Sequence, residues 1–172
     1  VTFEKKNRSF ERLLLAPIPF ELLMLAKTSG AILFGIVNAF VPIAVAAFFI
    51  SLSEIQWEFF IPTIFLLSIV STFLGLFIAV AVSEVFEAQT FSNFFRFPMI
   101  FLCGLFFPIE NLPVFLKPVS FVLPLTYGVD VLHGAVHGDH SLPFSIDLSL
   151  LAAFCVVLFA ASLWNIKRRW IQ

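Results

Sequence analysis

The chain is 172 residues long; 60% are Ala, Val, Ile, Leu, Met, Phe, Trp, Tyr or Cys and only 12% are Asp, Glu, Lys or Arg, against about 45–50% apolar in soluble domains even with Gly counted. Ten Lys/Arg against eleven Asp/Glu leave a net charge of −1, a balance that gives nucleic acid no electrostatic foothold. So few polar side chains cannot cover the surface of a water-soluble domain, which excludes an ordinary soluble enzyme, a disordered chain and a disulfide-stapled secreted module.

The first 30 residues are charged and then abruptly apolar. Phe10-Glu-Arg-Leu-Leu-Leu-Ala-Pro-Ile-Pro-Phe-Glu-Leu-Leu-Met-Leu-Ala-Lys27 begins as a helix-prone stretch, breaks at Pro17 and Pro19, and resumes over Phe20 to Lys27. Pro17 disfavours helical geometry at Ala16, and Pro19 can open the next helix because its missing N–H is not needed there. A helix–turn–helix elbow with Leu, Ile and Phe at its tip results. It suits either an interfacial anchor for the first span or a docking point for a partner on that face.

Four crossings follow, predicted over about 31–52, 59–83, 89–107 and 147–166. Thr28–Ser53 and Phe59–Ser83 contain no charged residue, and each reaches about 37 Å as helix, enough for a hydrocarbon core of about 30 Å. Leu148–Ile166 is just sufficient at about 28 Å. Phe97–Ile109 is too short alone and must extend back through Arg96 to about Gln89; Arg96 is then expected near the interface with its guanidinium in water. Lys5, Lys6, Arg8, Arg12, Lys27, Arg96, Lys167, Arg168 and Arg169 fall on one side of this arrangement and Lys117 on the other, nine against one of the ten cations. The positive-inside rule then makes both termini cytoplasmic. Trp57, Trp164 and Trp170 lie near the predicted edges, and Cys103 and Cys155 fall within spans as small apolar fillers.

Between the third and fourth spans, Pro108, Pro113, Pro118 and Pro124 punctuate a segment that is still apolar. No continuous helix can include them, and irregular backbone cannot face lipid. Short helices over about Pro113–Val122 and Leu125–Val136, dipping back into the outer leaflet, meet both constraints; a surface-lying amphipathic loop is the alternative. His133, His137, Asp139 and His140 follow at spacings that suit a zinc-like donor set, although Gly134 and Gly138 make a poor scaffold and solvated histidines are the simpler reading.

Ala31, Gly35 and Ala39, and Ser71, Gly75, Ala79 and Ser83, recur every four residues and mark close helix packing, within the chain or against a second copy. Asn38 and Pro42 are candidates for lining a polar path. There is no phosphate-binding G-x-x-x-x-G-K-[ST] motif, no Ser/His/Asp spacing on a plausible scaffold and no paired intramembrane carboxylates. Ion- or proton-coupled transport is therefore not expected, and an energy source would sit on another chain.

Two blocks carry a resemblance. FERLLLAPIPFELLMLAK resembles the segment between the second and third membrane helices of type-2 ABC exporter permeases, the ABC-2 type, in their drug, polysaccharide and lipooligosaccharide export branch; Ser9-Phe10-Glu11 replaces the usual start and Ala26-Lys27 the usual Gly-Lys. FPMIFLCGLFFPIENLPVFLKPVSFVLPLTYGVDVLHGAVHG, Phe97 to Gly138, is similar to the same family's outer motif through Gly104, Phe106, Phe107, Pro108, Asn111, Leu112, Pro113, Pro124, Leu125, Thr126, Tyr127 and Asp130. It departs at Cys103, Leu123 and His133, where Ser, Asn and Arg are common.

The resemblance implies an all-α integral membrane protein with a cytoplasmic coupling elbow (residues 1–30), a transmembrane domain (31–172) and an outer re-entrant helix pair near the exit of a path. It assigns contact with a cytoplasmic ABC ATPase to Glu11, Arg12, Leu13, Leu14, Pro17, Ile18, Pro19 and Glu21. It further implies pairing with a second permease copy in the plasma membrane, ATP and Mg bound by the ATPase and no cofactor on this chain, and a chain that corresponds to the C-terminal part of such permeases, spans three to six. An amphiphilic drug, glycolipid or polysaccharide is the expected cargo. The rival readings are a membrane-embedded metal-dependent enzyme built on His133, His137, Asp139 and His140, and a non-transporting membrane scaffold.

Overall fold

A computed structural model describes residues 19–49, 55–82, 84–138 and 142–170, with 20, 21, 110 and 166–170 as backbone only. Six α-helices occur among them: α1 (Phe20–Ala46), α2 (Trp57–Ala81), α3 (Val85–Leu102), α4 (Lys117–Val122), α5 (Pro124–His137) and α6 (Phe144–Trp170), with a 3₁₀ turn over Ile109–Asn111. The architecture is all-α, as an integral membrane protein with apolar segments of this length requires.

Three of these helices are long and apolar enough to cross a bilayer, over Leu22–Ala46, Trp57–Ala81 and Phe144–Asn165. α3 has 18 residues, about 27 Å of helix, and is less apolar because it carries Glu87 and Arg96.

Element boundaries differ from the sequence expectation in instructive ways. The second arm of the elbow is not separate from the first span: α1 runs unbroken from Phe20, capped by Pro19 at φ −52° and ψ 132°, and it stops at Ala46 rather than continuing to 52. α3 ends at Leu102, short of 107, because the chain turns at Gly104 with φ +92°. α3 begins at Val85 rather than 89, so Arg96 is its twelfth residue. α4 starts at Lys117 rather than Pro113, because residues 114–116 form a turn in which the Leu116 N–H donates to the Pro113 carbonyl at 2.8 Å. Pro118 and Pro124 occupy first-turn positions of α4 and α5, where the missing N–H costs nothing.

α2 is the hub: α6, α1 and α5 all pack against it, and α3 touches it more lightly. Met24, Leu76 and Val80 join α1 and α2 near the Ala81 end, and Val70, Phe73, Tyr127, Leu151 and Cys155 form the central cluster of α2, α5 and α6. Hydroxyls within the long helices are satisfied locally: Thr28, Thr63, Thr72 and Ser162 each donate to the carbonyl four residues earlier, at 2.7–2.9 Å. Such back-bonding lets polar residues sit in a membrane helix without an orphan donor.

Candidate functional site

The site is built where α3 and α5 meet α2, with the short α4 against α3 and α5. Gly104 adopts a conformation that side chains with a Cβ rarely take, and a Cβ there would also lie 3.3 Å from Ile109 Cγ1. The turn throws Phe106 and Phe107 outward, 59% and 57% exposed. Pro108 then caps the 3₁₀ turn, accepting the Asn111 N–H at 2.9 Å. Asn111 and Pro113 are exposed along this turn.

α4 and α5 are joined by the extended residue Leu123. The last carbonyls of any helix lack i→i+4 partners; the Ser120 carbonyl takes the Leu123 N–H at 3.1 Å, and the two residues after Leu125 add further donors. The Thr126 hydroxyl donates to the Ser120 carbonyl at 2.6 Å and the Tyr127 hydroxyl to the Phe121 carbonyl at 2.5 Å. This gives the Leu-Thr-Tyr block a physical role: two adjacent hydroxyls fasten the short α4 to the buried start of α5.

α5 runs antiparallel to α2. Its beginning reaches the Val70–Phe73 level, with Tyr127 in the central cluster, while the Ala135 carbonyl near its end accepts the Gln56 N–H at 2.9 Å just before α2 starts. Gly128 permits this approach: a Cβ there would collide with the Leu67 side chain. The segment therefore packs deep against other helices rather than lying flat on the surface. α5 closes with Gly138 in the left-handed conformation at φ 82°, its N–H on the Gly134 carbonyl at 2.8 Å.

Asp130 accepts the Leu142 N–H at 3.1 Å and faces Asp147 in the first turn of α6. Asp147 is fully buried, and its carboxyl oxygens meet no donor among the described residues. Paired carboxylates were not expected from the sequence, and the fold overturns that: 17 residues of separation hide the pair, and Asp147 sits one residue before the uncharged run that reads as a span.

The His133 and His137 rings stack at 4.5 Å, while Asp139 and His140 lie outside the described residues. No group of three or more His, Cys, Asp and Glu side chains converges among the described residues. The Asn38 amide donates to the Phe34 carbonyl at 2.8 Å, within its own helix. Pro42, by contrast, lines a cavity of about 540 Å³ between α1 and α2, together with Gly35, Ala39 and Ser68. Gly35 of the first small-residue stripe packs on Ser68, whereas Gly75 of the second faces open space. A second cavity, of about 280 Å³, is enclosed by α2, α3 and the Leu125 end of α5.

Of the coupling residues, Glu11, Arg12, Leu13, Leu14, Pro17 and Ile18 lie outside the described residues. Pro19 is exposed, caps α1 and accepts the Leu23 N–H at 3.1 Å; Glu21 falls in the first turn. The elbow's break therefore continues directly into the first span.

A bundle of apolar helices with a Pro-broken, two-helix insertion packed into one end defines a polytopic membrane protein whose insertion is a structural part of the bundle. The sequence matches the family described as ABC-2 type transporter over residues 1–136, and the chain belongs to that family. It is similar to the inner membrane transport permease YadH of Escherichia coli K12, 24% identical over 165 residues that cover 96% of this chain and 64% of YadH. Nodulation protein J of Rhizobium meliloti is 32% identical over 72 residues, 42% of this chain and 28% of that protein. Nodulation protein J of Rhizobium leguminosarum bv. viciae is 29% identical over 75 residues, 44% and 29% respectively. The chain thus spans about 64% of the length of the YadH relatives it matches. No solved structure matches it.

Proposed function

We propose that the chain acts as the membrane permease subunit of an ATP-driven exporter, with residues 1–30 as the coupling region and 31–172 as the transmembrane domain. Membership of the ABC-2 type transporter family over residues 1–136, which include the elbow, carries this reading. Two permease copies pair with two cytoplasmic ATPase subunits, which bind ATP and Mg. Both termini of this chain face the cytoplasm. Closure of the ATPases pushes on Glu11–Glu21, and because α1 continues without a break from Pro19, the push reaches the first span as a tilt rather than being absorbed in a hinge. The α4–α5 pair forms the outer end of the path. An amphiphilic drug, glycolipid or polysaccharide is the cargo class that fits apolar helices with few charges.

The test is co-purification of the chain with an ATPase and vanadate-sensitive ATP hydrolysis by the complex. Replacing Leu13 and Leu14 by Asp should abolish the association while leaving membrane insertion intact. An intact complex with undiminished hydrolysis in that variant would remove the elbow from the mechanism, and failure to recover any ATPase would remove the exporter reading.

A further inference from the structure

Arg96 is placed where an unpaired cation is costly. Ser71, beside it, lies ten residues before the end of α2 at Ala81, and Arg96 lies eleven residues after the start of α3 at Val85. At 1.5 Å per residue these are about 15 and 16.5 Å from the turn joining the helices. α2 is long enough to span the bilayer, whose hydrocarbon core is about 30 Å thick, so the backbone of the exposed Arg96 is level with the middle of that helix. An Arg at the centre of a membrane helix costs about 2.5–3.5 kcal/mol on insertion scales and is retained where it faces a cavity or a partner.

It faces a cavity. The space of about 280 Å³ between α2, α3 and α5 has Arg96, Ser92 and Ser71 as its polar lining and Leu74, Met99 and Leu125 among its apolar walls. Among the described residues no acidic side chain lines it, so none of them supplies the guanidinium with an anion there. A planar fork of donors flanked by hydroxyls matches the oxygens of a phosphate, which arginine binds bidentately. The volume is just below the range of small-ligand pockets, enough for a headgroup phosphate and its first methylenes but not for a whole lipid. Gly75 keeps the space open, since nothing lies within 4 Å of a Cβ built on it.

We infer that the cavity between α2, α3 and α5 binds the phosphate-bearing, negatively charged head of a membrane amphiphile, with Arg96 as its counter-charge and Ser71 and Ser92 as supporting donors. The inference rests on α2 spanning the bilayer and not on ATP-driven export, so the two can fail separately.

The experiment uses the purified chain in neutral detergent, titrated with phosphatidylglycerol, phosphatidylcholine or inorganic phosphate, and read by native mass spectrometry and thermal unfolding. Phosphatidylglycerol should bind at least about tenfold more tightly than phosphatidylcholine, the worth of one charge-assisted contact. Arg96→Gln should erase that preference, Arg96→Lys should retain part of it, and Lys117→Gln should leave it unchanged. Gly75→Phe should block binding with Arg96 still present; it also replaces a helical glycine, so loss of helix is not expected and the test holds even if an Arg96 variant fails to fold. Equal binding of the two lipids, or an undiminished preference in both Arg96→Gln and Gly75→Phe, overturns the site. Inorganic phosphate binding as tightly as phosphatidylglycerol overturns the amphiphile, because the apolar walls would then contribute nothing.

Discussion

Asp147, fully buried in the first turn of α6, faces Asp130 of α5, and its carboxyl oxygens meet no donor among the described residues. Two carboxylates in one water-poor site repel, and each is penalised by desolvation. Asp130 has the Leu142 N–H as partial compensation, whereas Asp147 is flanked by Tyr127, whose hydroxyl is already committed to Phe121.

An isosteric amide should relieve that repulsion and bring a donor of its own. Asp147→Asn is expected to raise stability by about 1 kcal/mol or more, seen as a higher unfolding temperature in detergent by circular dichroism. A lower unfolding temperature would mean that the charge on Asp147 is held by something the bundle itself does not supply.

The Thr126 and Tyr127 hydroxyls satisfy the last carbonyls of α4. Tyr127→Phe should cost about 1–2 kcal/mol, because it strands the Phe121 carbonyl, and Thr126→Val should cost less, because the Ser120 carbonyl keeps the Leu123 N–H at 3.1 Å. Limited proteolysis should then cut first near residues 114–123, where α4 is no longer fastened.

Gly128 allows α5 to lie against Leu67. Gly128→Val should destabilise by about 1–3 kcal/mol through overpacking, and Leu67→Ala in the same chain should recover part of the loss. Additive penalties in the double-mutant cycle would show that the two residues do not share the contact.

Gly104 turns the chain at φ +92° with Ile109 close by. Gly104→Ala should cost about 1 kcal/mol or more, and Ile109→Ala should not rescue it fully, because the strain lies in the backbone. Full rescue would locate the cost in the side-chain contact instead.

The long spans were legible because water-to-lipid transfer acts on composition alone. An uncharged run such as Phe59–Ser83 must be helical in a bilayer wherever it is placed, and α2 occupies nearly that range. The breaks at Pro108, Pro113 and Pro124 were legible for a similar reason, since the missing N–H is a local fact. Ends were less so. α3 stops at Leu102 because Gly104 turns with a positive φ, and nothing in an apolar stretch reports a backbone torsion. The candidate site was visible as a motif but not as a mechanism: that Thr126 and Tyr127 cap α4 depends on α4 ending two residues before α5 begins.

Sequence alone determined that this protein belongs in a membrane, which segments are helical and where prolines force the outer segment to break, because each follows from local chemistry. Tertiary structure decided which polar groups meet. Asp130 found Asp147 across 17 residues, and Arg96 of α3 came to line one cavity with Ser71 near the middle of α2. Such pairings depend on the register of one helix against another, and register is set by packing at places such as Gly128 on Leu67, which no single segment encodes.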